Sequence, residues 1–162
     1  VIKVSIKPEE ITQAKKETDE FDNQKTYEKF NCKNNFIGRL GEIVFERFLH
    51  DNQIPHITVS FVKKGWEDED FVIDGKKVDI KTTFDTKLWF QKPVFDIYIF
   101  TRLNDDMKEL FIISYIKKAK LERLISEGKL EIIKREDRQD YVVMIEQMSP
   151  IEELLKVKIW KQ

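Results

Sequence analysis

With a single cysteine, Cys32, the chain has no internal disulfide and no cysteine-built zinc site, and it suits a reducing compartment, so a cytosolic location is expected. Two histidines, His50 and His56, are too few for a histidine-rich metal centre, and both read as ordinary surface or helix-end residues. No apolar run approaches the roughly 20 residues that span a bilayer, and Val1 to Lys7 alternates lysines instead of building an apolar leader, so no membrane association is expected. Net charge is also lacking: 29 basic against 30 acidic residues leave −1, so no bulk positive field advertises a polyanionic partner. Any nucleic-acid surface must be local. There is no internal repeat and no low-complexity linker, and 162 residues at 41% hydrophobic suit one domain, 1–162, with a real core.

Helix and strand signals alternate along that domain. Val1 to Ile6 reads as a strand, and Pro8-Glu9-Glu10 opens a thinly apolar helix to about Phe21. The polar stretch from there to Asn35 makes residues 1–33 a candidate N-terminal arm. A helix from Asn34 or Asn35 to His50 is well marked, because Ile37, Leu40, Val44, Phe45 and Phe48 recur at helical spacing. Strand-like runs follow at Ile57–Val62, Asp70–Ile73, Lys76–Thr82, Leu88–Gln91, Val94–Thr101 and Glu109–Ile116, read as an antiparallel run. Lys117 to Glu127 is helical and stops at Gly128; Leu130–Lys134 and Tyr141–Glu146 are further strands, and Ser149-Pro150 starts a last helix. The pattern is α+β or mixed α/β with one main sheet.

Asp74-Gly75 between strand-like flanks is a strong hairpin signal. A two-residue turn sets Ile73 opposite Lys76, Val72 opposite Lys77, Phe71 opposite Val78 and Asp70 opposite Asp79. By alternation Phe71, Ile73, Val78 and Ile80 share the core face, and Asp70, Asp79 and Lys81 share the other. Opposed carboxylates about 5 Å apart repel. A magnesium ion, which commonly takes one or two carboxylates and completes its shell with water and phosphate, would offset that repulsion. In phosphodiester hydrolysis the metal activates a water, and a neighbouring ammonium such as Lys81 orients it and stabilises the developing charge. Asp/Glu-x-Lys by itself proves nothing here, since it occurs at Asp74, Asp79, Asp85, Asp106 and Glu127. Only Asp79 lies between core-type residues on a strand with another acid opposite. The plain alternative is an amphipathic hairpin whose solvated face carries a surface ion pair.

Gly38 and Gly41 lie inside the second helix, each costing about 1 kcal/mol relative to alanine, which implies close packing. On a helical projection Glu42 falls at the margin of the apolar stripe while Arg39 and Glu46 point outward, and Gly38 leaves open space for a metal or phosphate. The alternative is a tightly packed helix on which Glu42 is an ordinary boundary residue.

Gly38-Arg39-Leu40-Gly41-Glu42, then Asp70, then Val78-Asp79-Ile80-Lys81-Thr82-Thr83, resembles the PD-(D/E)xK, or restriction-endonuclease-like, nuclease superfamily. The resemblance runs from about Asn34 to Thr83, with agreement in strand pattern alone as far as Ile116. It implies a central mixed β-sheet flanked by helices, dependence on magnesium, with manganese able to substitute, and DNA as substrate. Glu42 would match the helix acid, Asp70 the first strand acid, Asp79 the second and Lys81 the lysine, with Glu42, Asp70 and Asp79 as metal ligands. Glu69 stands where the pattern has its proline, and Asp79 replaces the more frequent glutamate. Asp68 is a rival first acid, but in the assumed register it faces Lys81.

The expected activity is that of a restriction-type or phage-type endonuclease on duplex DNA, acting as a homodimer so that two sites cut two strands. A structure-selective enzyme of the Holliday-junction resolvase kind would use the same residues, and a non-catalytic DNA-binding module on the same fold is the rival from another class. Lys63, Lys64, Trp66, Trp89, Gln91 and Lys92, and in the N-terminal stretch Lys25, Tyr27, Lys29 and Lys33, are weaker candidates for contacts to phosphates or bases.

Overall fold

The computed structural model describes residues 1–24, 32–59 and 68–156. Lys25, Tyr27, Lys29, Lys63, Lys64 and Trp66 lie outside the described residues, as does the end of the strand expected to reach Val62. The chain forms β1 (Ile2–Ser5), α1 (Pro8–Gln24), α2 (Cys32–Asp51), β2 (Ile57–Thr58), β3 (Phe71–Ile73), β4 (Lys76–Thr83), β5 (Lys87–Phe90), β6 (Ile97–Leu103), β7 (Glu109–Lys117), α3 (Lys118–Ser126), β8 (Glu131–Lys134), β9 (Gln139–Met144), β10 (Ser149–Pro150) and α4 (Ile151–Lys156). Among the described residues no helix is long and apolar enough to cross a membrane.

A seven-stranded sheet runs β1-β7-β6-β4-β3-β2, with β10 also on β7, and β5-β9-β8 form a second sheet of three strands. One expectation changes here. The strands are not one antiparallel run, since β4 and β6 are parallel, and beside the one main sheet that was expected there is a small second one. The cause is β5, which leaves β4 and pairs with β9, some fifty residues on. A local pattern of apolar residues carries no information about so distant a partner. Parallel neighbours need a crossover, and residues 84–96 supply it.

The main sheet is buried on both faces. Val78, Ile80, Ile97, Ile99, Leu110 and Ile112 pack with Leu40, Val44 and Phe45 of α2 and with Ile151 and Leu154 of α4. Tyr98, Phe100 and Ile116 face the other way, against Leu88, Phe90 and Val143 of the small sheet and Leu121 and Leu124 of α3. Strand β6 alternates between these two cores, as a central strand buried on both sides must. The fold is therefore mixed α/β, with a mixed sheet flanked by helices.

Residues 1–24 belong to that body and do not stand apart as an arm. β1 pairs antiparallel with β7, and α1 lies antiparallel along α2, burying Ala14 and Thr18. Glu10 meets Arg47 and Glu17 meets Arg39, two ion pairs that fix the helix register. Ser149 and Pro150 also depart from expectation: they pair with β7 before α4 begins at Ile151.

Candidate active site

The site depends on the β3–β4 hairpin, whose turn residues Asp74 and Gly75 both have positive φ, 49° and 70°. Such a turn matches the twist of paired strands, and glycine adopts it without steric cost. The observed pairs are Ile73↔Lys76, Val72↔Lys77 and Phe71↔Val78, the register expected. The ladder stops there. Asp70 donates its N–H to Val78 O (3.0 Å), the residue already paired with Phe71, so two residues of one strand oppose one of the other. That is bulge geometry, which re-aims a side chain, and Asp70 does not sit as the direct ladder partner of Asp79.

The bulge turns the Asp70 carboxylate onto β4, where Oδ2 accepts the Ile80 N–H at 2.7 Å. Asp70 is 4% exposed and Asp79 6%, whereas Asp68, the rival acid, is exposed. Val78 and Ile80 point to α2, so Asp79 and Lys81 leave β4 on the opposite face, beside Tyr98, which Asp79 neighbours in the β4–β6 ladder. Lys81 Nζ lies 2.6 Å from Asp79 Oδ2, with the lysine side chain 38% exposed. Burial opposes the lysine's charge, but the Asp79 carboxylate, by charge and hydrogen bond, and Asp70 by charge hold its pKa above the ordinary lysine value. At neutral pH Lys81 is an ammonium. Burial, reinforced by Asp79, raises the Tyr98 phenol, whose oxygen accepts the N–H groups of Val94 (2.7 Å) and Phe95 (3.0 Å). Those bonds explain why β6 begins at Ile97 and not at Val94 as expected.

Helix α2, which carries Glu42, packs on β4 from the face opposite Asp79 and Lys81. A Cβ on Gly41 would come within 1.8 Å of Thr82 Oγ1, so the helix backbone rests on the residue that follows Lys81. Gly38 has nothing within 4 Å of such a Cβ, so the close packing expected of the two glycines belongs to Gly41 and the open space to Gly38. Glu42 is 7% exposed, buried more deeply than a boundary position suggests. Arg39, expected to point outward, is 6% exposed and donates from Nη1 to Glu42 Oε2 at 2.9 Å and from Nε to Glu17 on α1. The Arg39–Glu42 spacing of three residues on a helix could have suggested that pair; Glu17 gave no local sign. Thr82 and Thr101 hydroxyls, 2.8 Å apart, complete the polar layer under the helix and were likewise unforeseen.

Glu17 gives a pH prediction. Burial works against its carboxylate, but Arg39 and Gln13 outweigh burial and lower its pKa below 4.5. A depressed folded-state pKa contributes stability that is present above the ordinary value and lost as pH falls through the folded one. Wild type should therefore melt above Glu17→Gln at neutral pH, and the gap should close as pH drops well below 4.5. Thermal melts of both proteins against pH check this; a gap independent of pH contradicts it.

Among the described residues no three aspartate, glutamate, histidine or cysteine side chains gather as a ready metal cage. What is gathered is two buried carboxylates, Asp70 and Asp79, acting on one ammonium. That donor set suits a hard divalent cation, which commonly takes one or two carboxylates and leaves other positions to water and phosphate. Glu42, the third acid expected there, is not gathered with them; it is hydrogen-bonded to Arg39 on α2. No protein-family model matches this chain, and no curated protein sequence matches it.

Proposed function

We propose that this chain is a magnesium-dependent DNA endonuclease with a core of the restriction-endonuclease-like, PD-(D/E)xK, kind. The observation that carries the proposal is the pairing of two buried carboxylates with a lysine on one short hairpin: Asp70 turned onto the Ile80 N–H, and Asp79 and Lys81 on one face of β4. A solvated surface ion pair would not bury both acids. Two carboxylates held out of water beside one ammonium leave one negative charge in excess, which a bound cation would offset.

Asp79 and Asp70 would hold the metal. What a divalent ion supplies when bound is a water of lowered pKa and neutralisation of phosphate charge. The chain's own work is then positional. Asp70 is fixed by a backbone amide and Asp79 by its place in a central strand, so neither carboxylate needs to reorganise. Lys81, held as an ammonium by the two carboxylates in the metal-free chain, offers a hydrogen-bond donor and a charge. From two residues beyond Asp79, Lys81 can orient the attacking water and stabilise the charge that develops on phosphate. Duplex DNA is the substrate class, and a homodimer is the arrangement by which two such sites cut two strands.

Incubation with supercoiled, linear and branched DNA, with magnesium, with manganese and with chelator, tests the reading. Metal-dependent cleavage is expected, and its absence on every substrate would sink the proposal. Gly38 offers a separate probe. Alanine there meets no neighbouring atom within 4 Å and should stabilise the helix by about 0.5–1 kcal/mol, read by urea denaturation. If the space beside Gly38 admits phosphate, the more stable protein should also cleave more slowly. Unchanged cleavage would remove Gly38 from the substrate path.

A further inference from the structure

A strand at the edge of a sheet leaves a row of backbone groups unpaired, and folds usually blunt such an edge by shortness or by a cover. In the main sheet β2 is two residues long, and at the β1 edge Arg47 donates to the Ser5 carbonyl. β8, an edge of the small sheet, pairs with β9 on one side, and no described strand lies on the other. Its Ile132 is 47% exposed. The hairpin fixes which backbone groups face out. Arg135 donates its N–H to Arg138 O at 2.8 Å, and the pairs behind it run Lys134↔Gln139, Ile133↔Asp140, Ile132↔Tyr141 and Glu131↔Val142. Antiparallel pairs alternate between hydrogen-bonded and non-hydrogen-bonded, so Ile133 and Glu131 bond to β9, and Ile132 and Lys134 turn their N–H and C=O groups outward.

We propose that β8 is a self-association surface, to which a second copy of this chain adds antiparallel across a twofold axis at Ile133. Such a pairing must set outward-facing residues against outward-facing residues, so the axis passes through a residue and not between two. An axis at Glu131 or at Lys134 sets that charge against its own copy, and one at Ile132 sets Lys129 against Arg135. Like charges so opposed repel. An axis at Ile133 sets Ile132 against the aliphatic stem of Lys134 and Glu131 against Arg135, twice over by symmetry. The guanidinium is already set on the right face of the sheet: Arg135 Nε donates to Asp140 Oδ2 at 2.8 Å, and the group lies 5.8 Å from the Trp89 ring. A strand of four residues buries less than the about 1,200 Å² of a standard interface, so the dimer is weak and concentration-dependent. For its use the inference rests on the nuclease reading above, in which two sites cut two strands; the pairing itself rests on strand geometry alone.

Sedimentation equilibrium of the full chain, without DNA or metal and at concentrations up to about 1 mM, reads the association, with thermal melts to establish folding. A reversible dimer is expected, and a monomer throughout overturns the proposal. Ile132→Pro removes an outward N–H and no β8–β9 hydrogen bond, which an edge strand accepts, and should weaken the dimer by about tenfold or more. Glu131→Lys and Arg135→Glu should each weaken it by about tenfold, because each sets like charges opposite one another. Arg138 still faces Asp140 when Arg135 is replaced. Mixed in equal amounts, these two variants should form a heterodimer near wild-type strength, since both cross-strand pairs are again of opposite sign. Unchanged association in Ile132→Pro, or no gain on mixing the two charge variants, overturns the proposal. Should the variant of one arm fail to fold, the other arm decides. A dimer that cuts DNA under no condition sinks the nuclease reading and leaves the pairing standing. Cleavage by a chain that stays monomeric sinks the pairing alone.

Discussion

Replacement of Asp79 by asparagine is expected to lower metal-dependent DNA cleavage by about 10³-fold while leaving the fold intact. The two effects separate because of where the pair sits. Asp79 is buried, but its partner Lys81 has a side chain 38% exposed, so an ammonium deprived of its carboxylate can turn to water. The pair is half buried, so its loss should cost about 1–3 kcal/mol without unfolding the chain. Lys81→Ala keeps both carboxylates and removes only the donor, and should cost about 10²–10³-fold. Initial rates on supercoiled DNA with magnesium, paired with thermal melts, measure both. Undiminished cleavage by either variant would remove that residue from catalysis, and a collapse of the Asp79→Asn melt would make Asp79 a structural residue.

Among the described glycines of the helices, Gly41→Ala should have the larger effect on stability. Alanine in place of glycine gains about 1 kcal/mol of helix propensity, and at Gly38 that gain stands unopposed. At Gly41 the added carbon would lie 1.8 Å from Thr82 Oγ1 and 2.7 Å from Thr82 Cβ. Overpacking of this kind typically costs about 1–3 kcal/mol, and full overlap belongs at the top of that range, so a net loss of about 2 kcal/mol is expected. Thr82→Ala in the same chain should restore only part of it, since the contact to Cβ remains. Urea denaturation of the single and double variants checks the balance. A neutral Gly41→Ala would mean that the helix does not rest on β4 at this point.

Much of the site was legible because it is local. Asp74-Gly75 dictates a tight turn, the turn dictates register, and alternation then divides Val78 and Ile80 from Asp79 and Lys81. The one error within the hairpin, Asp70 opposite Asp79, came from extending a regular ladder one pair too far. A bulge needs an outside reason, here the Ile80 N–H that Asp70 captures and the Val59 N–H that its carbonyl accepts. Arg39 was misplaced for a related cause. A helical projection assigns inside and outside from one helix alone, and what buries Arg39 is a carboxylate on another helix.

The sequence by itself determined most of the elements, the register of the hairpin and the setting of Asp79-Ile80-Lys81 on a core strand, because periodicity and turn chemistry act over a few residues. Only the tertiary structure decided that β4 runs parallel to β6, that β5 departs to a second sheet, that Gly41 and not Gly38 is the packing glycine, and that Glu42 is gripped by an arginine braced on α1. Each of these joins residues far apart in the chain. Their free energy lies in burial and pairing between elements, which no short window of sequence contains.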